Sequence, residues 1–272
     1  MRAEPRKAVI LARGLGTRMR RADAAAALAP EQAAAADTGI KAMIPVGRPF
    51  LDYVLSALAG AGFREACLVV APEHDAIRDH YDRLAPTRIG IRYAVQAEPL
   101  GTADAVLAAE DFAAGEPFVV LNSDNYYPVS VLERLRRLGE PGLPAFGRDA
   151  LSRGGNVRPE RIRAFALLEI DSGGYLRRIV EKPDEAAARA LGTGAYVSMN
   201  CWSFAPAIFR ACREVGPSPR GELELPLAVQ HAIDRGEMRM RAFPVEAPVL
   251  DLSHRADVPA VAAALAGVEV AL

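Results

Sequence analysis

Only three cysteines, Cys67, Cys201 and Cys212, occur in this chain of 272 residues, an odd number at wide spacing. No histidine pair accompanies them at metal-finger distances, which argues against a disulfide framework and a structural zinc site. They are expected to be reduced core thiols of a cytoplasmic protein. An excess of charge of either sign is equally lacking. The 33 basic and 34 acidic residues leave a net charge of −1, so nothing points to nucleic acid or a membrane as partner, and any basic patch must be a local site. Long hydrophobic runs are missing too: no stretch approaches the roughly 20 apolar residues of a membrane span. The apolar run from Ala8 to Ala12 is broken by Arg13 too early for a signal peptide.

What remains is ordinary globular composition, 51% hydrophobic and 25% charged, enough for one large α/β domain or two small ones. In the first half, short apolar runs alternate with amphipathic stretches. Strands are expected at 7–12, 66–71, 89–95 and 117–122, and helices near 49–61, 75–84, 102–112 and 129–138. That alternation predicts βαβ units and a mostly parallel sheet, with ligands outside the carboxyl ends of its strands. The second half reads differently. "FALLEID" and "YLRRIVEKP" form a hairpin-like pair through Gly173-Gly174, "AYVSMNCWSF" reads as one long strand, and a helix follows from about 222 to 235. The expected fold is α/β, a Rossmann-like central sheet flanked by helices with an antiparallel extension. No clean linker divides the chain, so 1–272 is read as a single domain with two halves, about 1–140 and about 141–272.

Loops that could carry chemistry follow these strands. "LARGLGTRMRR", residues 11–21, sets two glycines and four arginines behind the first one. Bare backbone lets main-chain N–H groups approach a ligand, and arginine forks match phosphate oxygens in pairs, so an anionic ligand is indicated. The dinucleotide fingerprint fails because Met19 stands where its third glycine should be, and the P-loop lacks its Lys-Ser/Thr ending. Asp124 follows "FVVL" and Asp251 follows "APVL". With a phosphate cradle, such carboxylates suggest a Mg²⁺ site, since Mg²⁺ takes one or two carboxylates plus phosphate oxygens. Lys41 in "KAMIPV" and Lys182 in "VEKP" add mobile point charges.

Taken in order, "LARGLGTRM", "KAMIPV", "QAEPLGTADAV", "NSDN", "EKP" with "PSPRGELEL", and "VLDLSHRAD" resemble the motifs of the sugar-1-phosphate nucleotidyltransferases, most closely their glucose-1-phosphate thymidylyl and uridylyl branch. The resemblance runs from residue 7 to about 262. It implies attack by a sugar-1-phosphate oxygen on the α-phosphorus of a nucleoside triphosphate, with Mg²⁺ as cofactor and pyrophosphate as leaving group. The nucleophile is already an anion, so no Ser-His-Asp arrangement is needed, and positioning with charge neutralisation must supply the catalysis. By the same resemblance Leu11, Gly14, Gly16, Thr17, Gln96, Pro99, Gly101 and Thr102 bind the nucleotide. Arg18 holds the β- and γ-phosphates, Lys41 neutralises the triphosphate, and Asp124 and Asp251 hold the metal. Lys182 and Arg220 orient the sugar phosphate, while Glu181 and Asn200 meet sugar hydroxyls.

Gln96 is expected to offer one donor and one acceptor to the O4/N3 edge of uracil or thymine, favouring UTP or dTTP. Glucose-1-phosphate is the default acceptor, and a homo-oligomer is left open. Several positions depart from the family pattern: Arg13 where a small residue is usual, Asn122-Ser123 before the metal Asp, Phe165-Ala166, and "NCWSF", whose indole is expected near the sugar. A catalytically silent nucleotide-sensing subunit, or guanylyl or cytidylyl transfer to another phosphorylated acceptor, are the competing readings. The presence of Arg18, Lys41, Asp124 and Asp251 favours the enzyme. Finally, the alanine-rich excursion over residues 21–39 is longer than the family's usual link, and Pro30 and Gly39 are expected to interrupt its helical tendency. It is read either as an inert surface insertion or as a lid over the nucleotide, with Arg20 or Arg21 meeting the γ-phosphate.

Overall fold

The run "KAVIL" becomes β1 (Lys7–Leu11). It is apolar throughout its centre because it lies between two parallel neighbours, β2 (Glu65–Val70) and β4 (Phe118–Asn122), and has a helical layer on each face. Ala8 and Ile10 enter one core with Phe50, Leu51 and Leu55, while Val9 enters the other with Ala103, Val106 and Ile208. β3 (Gly90–Val95) extends the parallel part beyond β2. The computed structural model describes residues 4–23, 26–162, 165–181, 183–192 and 194–272. Cys67, Cys201 and Cys212 are buried and free, with thiols pushed upward by burial.

Three further pairings complete what positions the site. β5 (Asn125–Tyr126) leaves the main sheet at once and later pairs antiparallel with β12 (Leu250–Asp251). β6 (Gly142–Phe146), β7 (Leu167–Ile170), β8 (Leu176–Val180), β9 (Tyr196–Val197) and β10 (Cys201–Phe204) build the antiparallel extension, in the order β4-β10-β6-β9-β7-β8. β11 (Arg241–Val245) departs from the expected antiparallel pattern by pairing parallel to β6. No helix among the described residues is long and apolar enough to cross a membrane.

Where sequence and structure differ, local backbone gives the reason. "AYVSMNCWSF" is not one strand: Asn200 takes φ 55°, a left-handed turn that asparagine tolerates, and the chain passes from the β6/β7 side to the gap between β4 and β6. The helix expected over 102–112 is two, Thr102–Leu107 and Glu110–Ala113, because Ala109 turns out of helical geometry at φ −98°, ψ 11°. Pro30 starts the helix Pro30–Thr38 instead of interrupting it, since its missing N–H costs nothing at the first helical position.

That helix is docked against the glycine loop. Arg20 donates from Nε and Nη2 to the Thr38 carbonyl at 3.1 and 2.8 Å. Arg255 pairs with Asp37 and donates to the Met19 carbonyl, and Gln32 Nε2 donates to Pro45 O at 2.9 Å. Gly16, at φ 61°, abuts Gly39 so closely that a Cβ there would lie 2.0 Å from the Gly39 carbonyl oxygen. Gly16→Ala is therefore expected to expel the excursion and to cost roughly 2 kcal/mol or more. Denaturant melts should register the loss, and hydrogen exchange over residues 26–40 should rise.

Candidate active site

Because β1, β2, β3 and β4 run parallel in register, Leu11 lies level with Val69 and Asn122, and Val70 level with Val95. The segments leaving β1, β3 and β4 line a cleft of about 370 Å³. Leu11, Gly14, Gly16, Thr17, Arg18, Lys41, Gln96, Pro99, Gly101, Thr102 and Asp124, all expected from the sequence, line it. Arg13, Asn122, Ser123 and Glu222 join them without having been expected there as ligand contacts. No described residue of 21–39 lines the cleft; Arg20 holds Thr38, and Arg21 is exposed away from the lining.

The glycines do different work. A Cβ on Gly14 would meet nothing within 4 Å, so that stretch of backbone is open to a ligand. Gly16 and Gly101 are required by packing. At Gly101, with φ 126°, a Cβ would fall 2.4 Å from the Leu223 carbonyl oxygen. The loop after β3 is sewn there to the segment 223–225: Leu223 N donates to Leu100 O, Ala103 N to Leu223 O, and Leu225 N to the Thr102 hydroxyl. Gln96 is 4% exposed, and its Nε2 donates to Gly101 O at 2.9 Å and Asp104 Oδ2 at 2.7 Å. Both partners are acceptors, so the amide orientation is fixed and both of its hydrogens are spent within the chain. This corrects the expectation that Gln96 offers a donor as well as an acceptor to a base.

The carboxylates come together through the β5/β12 ribbon, with Leu252 N donating to Asp124 O at 2.9 Å. Asp124 Oδ2 accepts from Lys41 Nζ at 2.7 Å. Asp251 is 2% exposed and fully engaged: Oδ2 takes Arg161 Nη2 at 3.0 Å and Oδ1 takes the Ser253 hydroxyl at 2.5 Å. Asn156 grips its backbone in both directions, Nδ2 to Asp251 O at 2.7 Å and Asp251 N to Oδ1 at 2.8 Å. Burial, and then the negative charge of Asp124, push the Asp251 carboxyl above the usual range, against the pull of Arg161. Arg161 and Asn156 carry no sequence motif that would have announced them. Among the described residues no group of three or more His, Cys, Asp or Glu could hold a metal, so the acidic centre is this pair.

Of the sugar-side residues, Lys182 lies outside the described residues. Asn200 is carried by the β10/β4 register, Cys201 opposite Leu121, to the level of Asn122 at the rim of the cleft. Arg220 donates twice to Glu224 Oε1, at 3.0 and 2.6 Å, beside Glu181. Neither Glu181 nor Arg220 lines the cleft itself. Trp202 corrects an expectation: it is fully buried, stacked on Phe204 at 6.0 Å, and forms core instead of a sugar wall. Burial, then Glu224, push the Glu181 carboxyl up to about 7, with Arg220 opposing. The folded chain thus holds a proton that the unfolded chain gives up near the ordinary carboxylate value. Stability falls as pH rises across that window, and the loss is complete above the folded value. In Glu181→Gln that loss should vanish, which urea melts of both proteins at about pH 5 and about pH 8 would measure.

A family model described as nucleotidyl transferase matches residues 7–247. The glucose-1-phosphate thymidylyltransferase of Streptomyces antibioticus is 31% identical over 85% of this chain and 58% of its own length. The UTP–glucose-1-phosphate uridylyltransferase AglF of Haloferax volcanii is 29% identical over 92% of this chain and 93% of its own. The chain therefore spans less than two thirds of the Streptomyces relative. In fold, it superposes on a UDP-glucose pyrophosphorylase solved with UDP-glucose at a TM-score of 0.74, with 19% identity, covering 96% of this chain and 98% of that one. Matched from residue 7 to residue 247 by one family's model, the chain belongs to the nucleotidyl transferases.

Proposed function

We propose that this protein is a sugar-1-phosphate nucleotidyltransferase that makes a nucleoside-diphosphate sugar and pyrophosphate, with UTP or dTTP as nucleotide and glucose-1-phosphate as the default acceptor. The observation that carries this reading is Lys41 joined to Asp124 beside an open glycine loop and the exposed Arg18, with the β5/β12 pairing bringing Asp251 up behind Asp124 although Asp251 does not itself line the cleft. The relatives named as glucose-1-phosphate thymidylyl- and uridylyltransferases support the same substrates.

The chemistry follows from charge. An oxygen of the sugar phosphate forms a bond to the α-phosphorus, the bond from that phosphorus to the α–β bridging oxygen breaks, and pyrophosphate leaves with the electron pair. Two polyanions must be brought together, so cationic groups and backbone donors do most of the work. The Gly14 backbone, with Gly16 and Thr17, cradles the triphosphate; Arg18 holds the phosphates that depart. Lys41, at 2.7 Å from Asp124, stands ready to exchange that carboxylate for a triphosphate oxygen. Leu11, Pro99, Gly101 and Thr102 wall the nucleoside side, and Gln96 accepts from the base. Asn200 and Glu181 receive the sugar, while Arg220 and Lys182 hold its phosphate. The residues about 1–140 and 141–272 act as one catalytic unit.

The acid pair fits Mg²⁺: two adjacent carboxylates supply hard oxygen ligands, and phosphate oxygens complete such a set. Mg²⁺ held by Asp124 and Asp251 would supply Lewis-acid polarisation of the α-phosphate. For Asp251 to take part, Arg161 must yield its contact.

Release of pyrophosphate from a panel of nucleoside triphosphates and sugar-1-phosphates tests the reading. Turnover with UTP or dTTP and glucose-1-phosphate is expected. Tight nucleotide binding without turnover of any pair would instead identify a silent nucleotide-sensing subunit. Asp124→Asn should keep the fold, by circular dichroism, and lose turnover by on the order of 10²-fold or more; Asp251→Asn should behave alike.

A further inference from the structure

Arg13 is a cation in an unexpected setting. It leaves the end of β1 into the wall of the cleft and is only 8% exposed. Its Nε donates to Gln96 O and its Nη2 to Ala97 O, both at 3.4 Å, the outer limit of a hydrogen bond. Nη1 is buried and has no partner. Among the described residues its only acceptors are neutral main-chain carbonyls, and it belongs to no ion pair. The neighbouring His74 is no counter-ion, since an imidazole is neutral or cationic; burial first, with Arg13 and Arg78 adding to it against Glu73, pushes its pKa down.

A buried guanidinium with an unfilled donor is costly unless something completes it. The group beside it has the opposite vacancy. Gln96 has spent both Nε2 hydrogens on Gly101 O and Asp104 Oδ2, so Oε1 is what its amide has left to offer. This part of the wall therefore pairs an acceptor with a cationic donor. A uracil or thymine edge carries a ring N–H flanked by carbonyl oxygens, which is the complement. Cytosine and adenine present a bare ring nitrogen at that place, acceptor against acceptor.

We propose that Arg13 is a base-specificity residue, donating from Nη1 to a carbonyl oxygen of uracil or thymine while Gln96 Oε1 accepts the ring N–H. This rests on the nucleotide reading of the cleft given above. The two long bonds to Gln96 O and Ala97 O hold the fork weakly, so a base oxygen can draw it round by a small rotation. The signal in the sequence is the replacement of a small residue by arginine in "LARGLGTR".

Calorimetric titration with UTP, dTTP, CTP and ATP, for the wild type, Arg13→Met and Arg13→Lys, tests the assignment. The methionine keeps the stem and removes charge and donors; the lysine keeps charge and loses the fork. The wild type should prefer UTP or dTTP. In Arg13→Met that affinity should fall on the order of tenfold while CTP and ATP change little, so discrimination collapses. The unliganded Arg13→Met protein should melt no lower than the wild type, because an unfilled buried charge has been removed. If discrimination persists in Arg13→Met and its melting temperature drops, Arg13 is only a brace for the Gln96–Ala97 turn and the proposal falls. Should Arg13→Met not fold, undiminished discrimination in Arg13→Lys overturns it equally, and a fall in the UTP or dTTP preference supports it. A wild type that binds UTP without turnover would sink the catalytic reading but leave these outcomes decisive; one that binds no nucleotide sinks both.

Discussion

Parallel pairing on both edges of β1 is the constraint from which the cleft follows. Strands that run the same way in register end at the same level, so Leu11, Val69 and Asn122 stand in a row and the loops beyond them open on one side. The glycine loop, the Gln96 turn and the Asp124 turn are thus neighbours although far apart in sequence. Burial on both faces keeps β1 from shifting: Ala8, Val9 and Ile10 are each 0% exposed, and sliding the strand by one residue would exchange the two cores.

Within that frame the acidic centre is electrostatically closed by the chain itself. Asp124 holds Lys41, and Arg161 bridges Asp251 and Asp257. Two carboxylates this near would repel, and cationic side chains offset that repulsion in the absence of any ligand. On the proposed function, the same cations are the groups that must let go when a polyanion and its counter-ion arrive. The centre is thereby a balanced arrangement of charge within the chain itself.

The parallel half was legible in the sequence because fully buried strands are continuous apolar runs: "KAVIL", "EACLVV" and "FVVLN" announce themselves, and the residues after the first and last of them line the cleft. Motif order carried Gln96, Asp124 and Lys41 to one cleft. What escaped depended on contacts between distant segments. Nothing near Asn156 or Arg161 tells that they clasp Asp251 some ninety residues on, with sequence separations of 95 and 90. Trp202 looked like a ligand wall because an aromatic in a motif is ambiguous until its strand register is known; β10 turns it into the core. The spent donors of Gln96 follow from Asp104, two residues into the next helix, a side chain whose direction no pattern specifies.

The β5/β12 ribbon also sets the order in which the centre comes into being. On the proposed function, the nucleotide cleft is encoded early: loop, Lys41, Gln96 and Asp124 all precede β6. The second acid arrives only with β12, near the other end of the described chain. A polypeptide cut short between them loses more than the second acid: the segment 223–225 that fixes Gly101 and Thr102, and Arg255 that holds the Met19 carbonyl, go with it, so the early motifs have a shaped cleft only when the late half of the chain is present.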